Sequence, residues 1–455
     1  MFSILSNLLY TSFIFAQVPP TTAPQPQEIV QLQQVRPLPG QLNKIPVFNS
    51  NSPELIINEG ILLSTFPPQG KANPSAHLNF SFQGYFDIFA HHVAKAPTPE
   101  DLRTLYLGII LHNPTQKPVT VDILQAASHL SQPDAPFVEL PPQVEDPEGK
   151  VYAGPGSRVM GDILRNRHQA IFPHQIVIPA GESRMLMNLP IPVRELDPPL
   201  NGRSTYMRLR SNGEIYAASL ARFAPVDAAG KERKPTLKEW ENLLEKGELA
   251  TPRDRAPSAP GTTDNIVYGR VAGVAQGSIW KARLLDPAAL DLTIPAQGEA
   301  FSYGLSTLEG GRLGTHQSQS APMLVRYPDT AYEAHGNYGV QYSLTLPLRN
   351  PTQESQTVAI SVQTPIKQDQ LKEGLRFLEP PAQQVFFRGS VKIRYTDDRG
   401  EYRTRYFHLV QRRGQKGEPL VTVDIPANDW RIVQVDFLYP PDATPPQVLT
   451  IKTLE

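Results

Sequence analysis

The order of apolar and polar residues reads as strand and turn along most of the chain. Leu105 to Leu111 is an uninterrupted apolar run, then Asn113-Pro114-Thr115-Gln116 signals a turn in which Pro114 fixes φ. Val119, Val121 and Ile123 then alternate with Thr120 and Asp122, the period of two that a half-buried strand requires. Further on, Tyr342, Leu344, Leu346 and Leu348 alternate with Ser343, Thr345 and Pro347, and Val358, Ile360 and Val362 repeat the period after a second Asn-Pro-Thr-Gln. Asn212-Gly213 predicts a two-residue hairpin between flanking strands. Tyr395 to Tyr402, with Gly400 near its end, predicts a hairpin with a bulged loop.

One segment has helical period. Thr236 followed by Glu239 forms a capping box, and Leu237, Trp240, Leu243 and Leu244 make one apolar stripe. Lys246 suits the negative end of the macrodipole, and Gly247 predicts a left-handed end at about 236–246. A helix this short is marginal alone in water, so its stripe must dock on something, and internal packing is preferred to recognition of a partner. The Pro-rich TPRDRAPSAPGTTDN that follows reads as a domain boundary.

Four landmarks occur twice in the same order: Leu63-Ser64-Thr65 with Leu305-Ser306-Thr307, Asn113-Pro114-Thr115-Gln116 with Asn350-Pro351-Thr352-Gln353, Phe137-Val138-Glu139 with Phe377-Leu378-Glu379, and Ile178-Pro179-Ala180 with Ile425-Pro426-Ala427. Their spacings are 50, 24 and 41 in the first copy and 45, 27 and 48 in the second. This register predicts an internal duplication. The expected organisation is a signal peptide at 1–16, a Pro-rich N-terminal segment at 17–44, a first β-sandwich domain at 45–225, a linker with the short helix at 226–263, and a second β-sandwich domain at 264–455. The predicted fold is therefore mainly all-β: two tandem homologous antiparallel β-sandwich domains of immunoglobulin-like type. IPAGESR and IPANDWR read as edge-of-sheet turns, where proline removes a ladder donor.

Composition narrows the function. Basic residues number 43 and acidic residues 44, giving a formal net charge of -1, which argues against a nucleic-acid partner. There is no cysteine, so disulfides, thiol nucleophiles and Cys-ligated metals are excluded. Ile4 to Phe15 is mostly apolar and ends at Ala16 before a polar, Pro-rich stretch, the form of a cleaved export signal. No Lys or Arg precedes Arg36, so the signal is atypical or the start lies elsewhere; an apolar first strand is the alternative. Export predicts an extracytoplasmic protein, periplasmic or secreted, without a transmembrane segment and beginning with the extended spacer QVPPTTAPQPQ.

SPELIINEGILLSTFPPQG, LYLGIILHNPTQKPVTVDILQAASHLSQPDAPF, LPPLNGRSTYMRLRSNGEIYAASLARF and RYPDTAYEAHGNYGVQYSLTLPL resemble a cyanobacterial family of exported proteins, domain-of-unknown-function family 3370. The resemblance spans the mature chain and implies an extracytoplasmic setting and one continuous architecture. It brings no catalytic residues.

Enzyme templates are empty. Gly181-Glu182-Ser183 and Gly304-Leu305-Ser306 lack the second glycine of a nucleophile elbow, and Ser278 to Lys281 fits S-x-x-K without its companion motifs. No catalytic residue, cofactor or metal site is expected. In FDIFAHH, His91 and His92 point to opposite faces of a strand, and Asp87 lies roughly 13 Å from His91 along it. A metal there needs a ligand from a neighbouring strand, such as His112; half-exposed sheet histidines are the preferred reading. The loop from Tyr327 to Gly339 gathers Tyr327, Tyr332, His335, Asn337 and Tyr338, suited either to a sugar's apolar face and hydroxyls or to tyrosine anchors that hold the two units together. The expected function is a non-enzymatic scaffold or binding protein of the envelope, partnered by envelope proteins or polysaccharide. A glycan-binding module is the alternative, and a hydrolase without a recognisable motif is a further one.

Overall fold

Strand Leu105–His112 pairs antiparallel with Ser183–Ile191, and across the Asn-Pro-Thr-Gln turn Val119–Leu130 pairs with Gln175–Ile178. Gln341–Arg349 pairs in the same way with Trp430–Leu438, and Gln356–Gln363 with Val421–Ile425. Gly60–Ser64 and Ala300–Leu305, which carry the Leu-Ser landmarks, pair with Leu200–Phe223 and Gln447–Thr453 respectively. This is a computed structural model, and it describes residues 25–455. The proposed signal at 1–16 lies outside the described residues, as does most of the spacer.

The protein is mainly β and sandwich-like, with several sheets and, among the described residues, no barrel. Apolar alternation fills two sandwich cores. One is built around Phe48, Phe86, Ile88, Leu107, Ile109 and Val121. The other is built around Tyr342, Leu344, Leu346, Ile360, Val435 and Phe437. A third cluster lies between the halves, where Phe89, Tyr206 and Met160 meet Val271, Ala321 and Leu438.

The turns explain themselves at atomic level. The Asn113 carboxamide donates to the carbonyls of Lys117, Ile178 and Pro179 at 2.7, 2.9 and 3.1 Å, and its oxygen accepts from the Thr115 N–H at 2.9 Å. Asn350 donates to Glu354, Ile425 and Pro426 at 2.7, 2.9 and 3.1 Å and accepts from Thr352 at 2.9 Å. Each asparagine thus ties its own turn to the neighbouring Ile-Pro-Ala corner, where Gly181 and Asn428 both take positive φ (69° and 56°).

Several expectations are corrected. Asn212-Gly213 makes no hairpin: Leu200–Phe223 is a single 24-residue strand whose register shifts between Ser211 and Ile215. At that bulge the chain leaves one sheet of the sandwich for the other. A Cβ on Gly213 would lie 2.6 Å from Val119 Cγ2, and Asn212 Oδ1 accepts from the Thr120 N–H, so close approach to a neighbouring strand is what these residues provide.

Among the described residues there are two α-helices, not one: Pro155–Leu164 (α1) and Leu237–Lys246 (α2). Gly-Pro ahead of α1 reads as a turn, yet Pro is favoured at a helix's first position, and Val159, Met160, Ile163 and Leu164 form its buried stripe. The capping box of α2 is present, but Gly247 is extended (φ -73°, ψ 161°) rather than left-handed. Trp240 and Leu244 dock the helix on the first sandwich, with the indole where a Gly108 side chain would be.

The segment before residue 45 is also no free spacer where it is described. Gln27–Gln31 pairs with Leu375–Glu379, Gln34–Arg36 runs parallel to Phe301–Tyr303, and Leu38 is buried in the second core. Sheets cross between the halves too, because Pro46–Ser50 pairs with Ala272–Gln276 and Gln143–Glu145 pairs with Tyr402–Arg412.

Candidate functional site

The loop after Tyr327 closes against the seam between the halves. Tyr327 itself is buried in the first core, where its hydroxyl accepts from the Ser64 N–H at 3.0 Å and donates to the Ala76 carbonyl at 2.8 Å. It is an anchor, not a ligand platform, because both its ring and its hydroxyl are fully committed. Asn337 is buried as well. Its carboxamide donates to the Gln319 carbonyl and accepts from the Ala321 N–H, holding a left-handed backbone (φ 48°). Tyr332 is exposed, with the Arg326 guanidinium 3.8 Å from its ring centroid.

His335, Asn337 and Tyr338 come together on the wall of one cavity of about 190 Å³. Tyr332 lies apart, in a second depression of about 250 Å³ that shares Tyr268 and His335 with the first. The remaining wall of the first cavity comes from distant segments: Asn49 and Asn51, Tyr268 to Val271, Lys367, and Ala443 to Pro445. No spacing in the sequence joins these residues. The polar Asn49-Ser50-Asn51 that follows the apolar Val47-Phe48 is the one local sign that this strand end meets something other than core.

The cavity's electrostatics follow from burial. Lys367 reaches the Tyr268 hydroxyl and stands 4.2 Å from that ring's centroid; burial lowers its amine to about 8, opposed by Asp369. Burial raises the Tyr268 phenol to about 12, and its hydroxyl donates to the Glu309 carbonyl. His335 packs 4.9 Å from Tyr268, and burial, reinforced by Lys367, lowers it to about 4, so the imidazole is neutral near pH 7. Burial likewise raises the Tyr338 phenol to about 12 while its hydroxyl donates to the Ala443 carbonyl at 3.1 Å.

Arg270 bridges Glu54 and Asp254 beside the cavity. Burial alone would raise the Glu54 carboxyl, but its bond to His91 and the Arg270 charge outweigh that and hold it low. Two groups are left unmatched: Asn49 Oδ1 and Asn51 Oδ1 are buried and meet no donor. Unsatisfied buried acceptors are costly, and both of these belong to residues of the cavity wall.

The FDIFAHH histidines are not half-exposed. Strand Phe82–Lys95 is flanked on both edges and covered on both faces, and His91 and His92 are buried. His91 Nδ1 meets Ser204 Oγ at 2.7 Å and His92 Nε2 meets Ser50 Oγ at 2.9 Å, with His92 Nδ1 donating to the Pro53 carbonyl. Asp87 accepts from the Tyr206 hydroxyl at 2.8 Å, and His112 belongs to the opposite sheet, beside Ser183. Among the described residues no cluster of three or more His, Asp or Glu has metal-holding geometry, and no helix is long and apolar enough to cross a membrane.

A family model described as "Protein of unknown function (DUF3370)" matches residues 33–453. The chain belongs to that family. The match takes in both sandwiches, the strands that thread between them, and every residue of the cavity. Comparison with curated proteins gives no match. Among solved structures, the 11S allergen of Cocos nucifera L. is 12% identical, with 88% of this chain and 89% of that chain covered and a TM-score of 0.10. Procruciferin, an 11S globulin of Brassica napus, is 10% identical, with 93% and 86% covered and a TM-score of 0.09. Likeness at that level carries no argument about fold or function.

Proposed function

We propose that this DUF3370 protein is a non-enzymatic binding or scaffold protein that works outside the cytoplasm, built from two copies of one β unit, with the seam cavity as its ligand site. The apolar stretch ahead of Ala16 supports the compartment. The matched asparagine turns support the duplication. The non-catalytic reading rests on the site's chemistry: among the described residues no Asp or Glu lines the cavity, and neither the Ser50–His92 nor the Ser64–His77 pair is part of its wall.

The observation that carries the binding role is the pair of unmatched acceptors, Asn49 Oδ1 and Asn51 Oδ1, in a cavity walled by Tyr268, His335 and Tyr338. Hydroxyl donors beside a ring face are what a sugar presents, which favours a glycan over a purely apolar ligand. A glycan array probed with the full chain tests this. Binding by the parent and its loss in Asn51→Leu is the expected result. Absence of any bound glycan, or equal binding by the variant, overturns the glycan reading. N-terminal sequencing of the protein recovered from periplasm or medium tests export: a start near Gln17 is expected, and an intact Met1 in the cytoplasm overturns it.

A further inference from the structure

The second sandwich turns one face of a sheet towards a cleft at the other side of the seam. Its strands Ile279–Arg283, Gln341–Arg349, Trp430–Leu438 and Val385–Thr396 lie side by side. Register fixes which residues share a row. Lys281, Ser343, Asp436 and Lys392 form one row, and Arg283, Thr345, Gln434 and Arg394 form the next. The alternate positions, among them Ala282, Leu344, Val435 and Ile393, are buried in the core, so both rows point outward. Each begins and ends with a cation and carries polar groups between.

The cleft over these rows encloses about 430 Å³ and is also lined by Arg208 from the first half and by the end of α1. Four cations, Arg208, Lys281, Lys392 and Arg394, face it against one lining carboxylate, Asp436, which Arg394 holds at 2.8 Å. Among the described residues neither Lys281 nor Lys392 has an ion-pair partner within 4.0 Å. Arg208 Nε and Arg394 Nε are buried without a hydrogen-bond acceptor, although Arg208 Nε lies 3.9 Å from the Asp87 carboxylate and each guanidinium is held by its other nitrogens, to Gln341 and to Asp436. Burial and the neighbouring Arg394 also lower the Lys392 amine, a penalty that an arriving anion relieves. In a chain with net charge -1, the two lysines without a partner make this a local concentration of positive charge, since Arg208 and Arg394 are offset by Asp87 and Asp436.

We infer that this cleft binds a linear acidic polysaccharide, its carboxylate or sulfate groups meeting Lys281, Lys392 and Arg394 and its hydroxyls meeting Ser343, Thr345 and Gln434. Lys281 and Lys392 stand three strand spacings apart, roughly 14 Å, a span that favours a polymer over a single small anion. The cleft and the seam cavity do not share a lining residue, so this inference stands or falls independently of the cavity's ligand.

The test uses the full chain and three immobilised polymers, polygalacturonate, dextran sulfate and neutral dextran, with inorganic sulfate as a free competitor. At low salt, binding to at least one acidic polymer and none to dextran is expected, weakening as salt rises. Lys281→Ala/Lys392→Ala lowers that affinity by about tenfold, whereas Lys95→Ala/Lys117→Ala, the same charge change on the first half, leaves it unchanged. Circular dichroism of both variants checks that the sheets are intact. The inference is overturned if neither acidic polymer binds, if neutral dextran binds equally, if both double variants weaken binding alike, or if inorganic sulfate alone occupies the site while the polymers do not.

Discussion

The hydroxyl of Tyr327 accepts a hydrogen bond from the backbone N–H of Ser64 at 3.0 Å, joining residues 263 positions apart. Ser306, at the matching landmark, gives its N–H to Tyr342 at 3.1 Å, only 36 positions away. The same backbone donor thus finds a phenol in both sandwiches. In the first, however, the phenol comes from the other half of the chain, so the first core is completed by a residue of the second.

Tyr327→Phe keeps the ring and removes the hydroxyl, taking the phenol partner from the Ser64 N–H and the Ala76 carbonyl in a buried core. A loss of about 1–3 kcal/mol is expected in urea unfolding. An unchanged midpoint would show that water replaces the phenol there.

Asn113→Ala and Asn350→Ala each remove one side-chain donor from three backbone carbonyls. Each substitution should cost about 2–4 kcal/mol, and the two costs should agree within about 1 kcal/mol because the networks match bond for bond. Markedly unequal costs, measured by chemical denaturation, would deny the equivalence.

Gly108→Ala places a methyl within 2.8 Å of the Trp240 ring. Overpacking of about 1–3 kcal/mol is expected, with a shift in tryptophan emission as α2 lifts from its sheet. Trp240→Leu in the Gly108→Ala background should recover part of the loss; failure to do so would place the strain elsewhere.

Burial lowers His77, His92, His335 and His408 to about 4 in the folded chain, against about 6.5 when unfolded. The unfolded state therefore binds more protons between those values. The stabilisation is fully present above about pH 6.5 and declines as pH falls towards about 4. His92 and His408, both fully buried, account for a loss on the order of 5 kcal/mol. Thermal unfolding followed from about pH 7.5 down to about pH 4.5 should show the transition moving steadily lower; a flat profile would refute protonation-limited stability.

Strand character was legible wherever a segment buries one face against its own sandwich. Val119 to Ile123 and Tyr342 to Leu348 pack as their alternation predicts, and the Thr236–Glu239 box caps α2 where it should. Reading failed where a residue answers to a distant partner. Asn212-Gly213 has hairpin chemistry, but the space it fills is set by Val119 and Thr120, some ninety residues earlier. His91 and His92 carry no sign of burial in FDIFAHH, because the cover on their strand comes from remote segments. The aromatic loop was visible, but its division into anchor (Tyr327), surface residue (Tyr332) and cavity wall (His335, Asn337, Tyr338) was not.

The amino-acid order alone determined the all-β class, the repeated landmarks and the absence of thiol chemistry, since periodicity, turn residues and composition act locally. Tertiary structure decided that the sheets run from one half into the other, that Tyr327 completes a core in the half it does not belong to, and that Asn49, Asn51, Tyr268 and Lys367 share one cavity. Those outcomes depend on which surfaces meet after the chain has closed on itself, and burial, unmatched acceptors and shifted protonation arise only at such meetings.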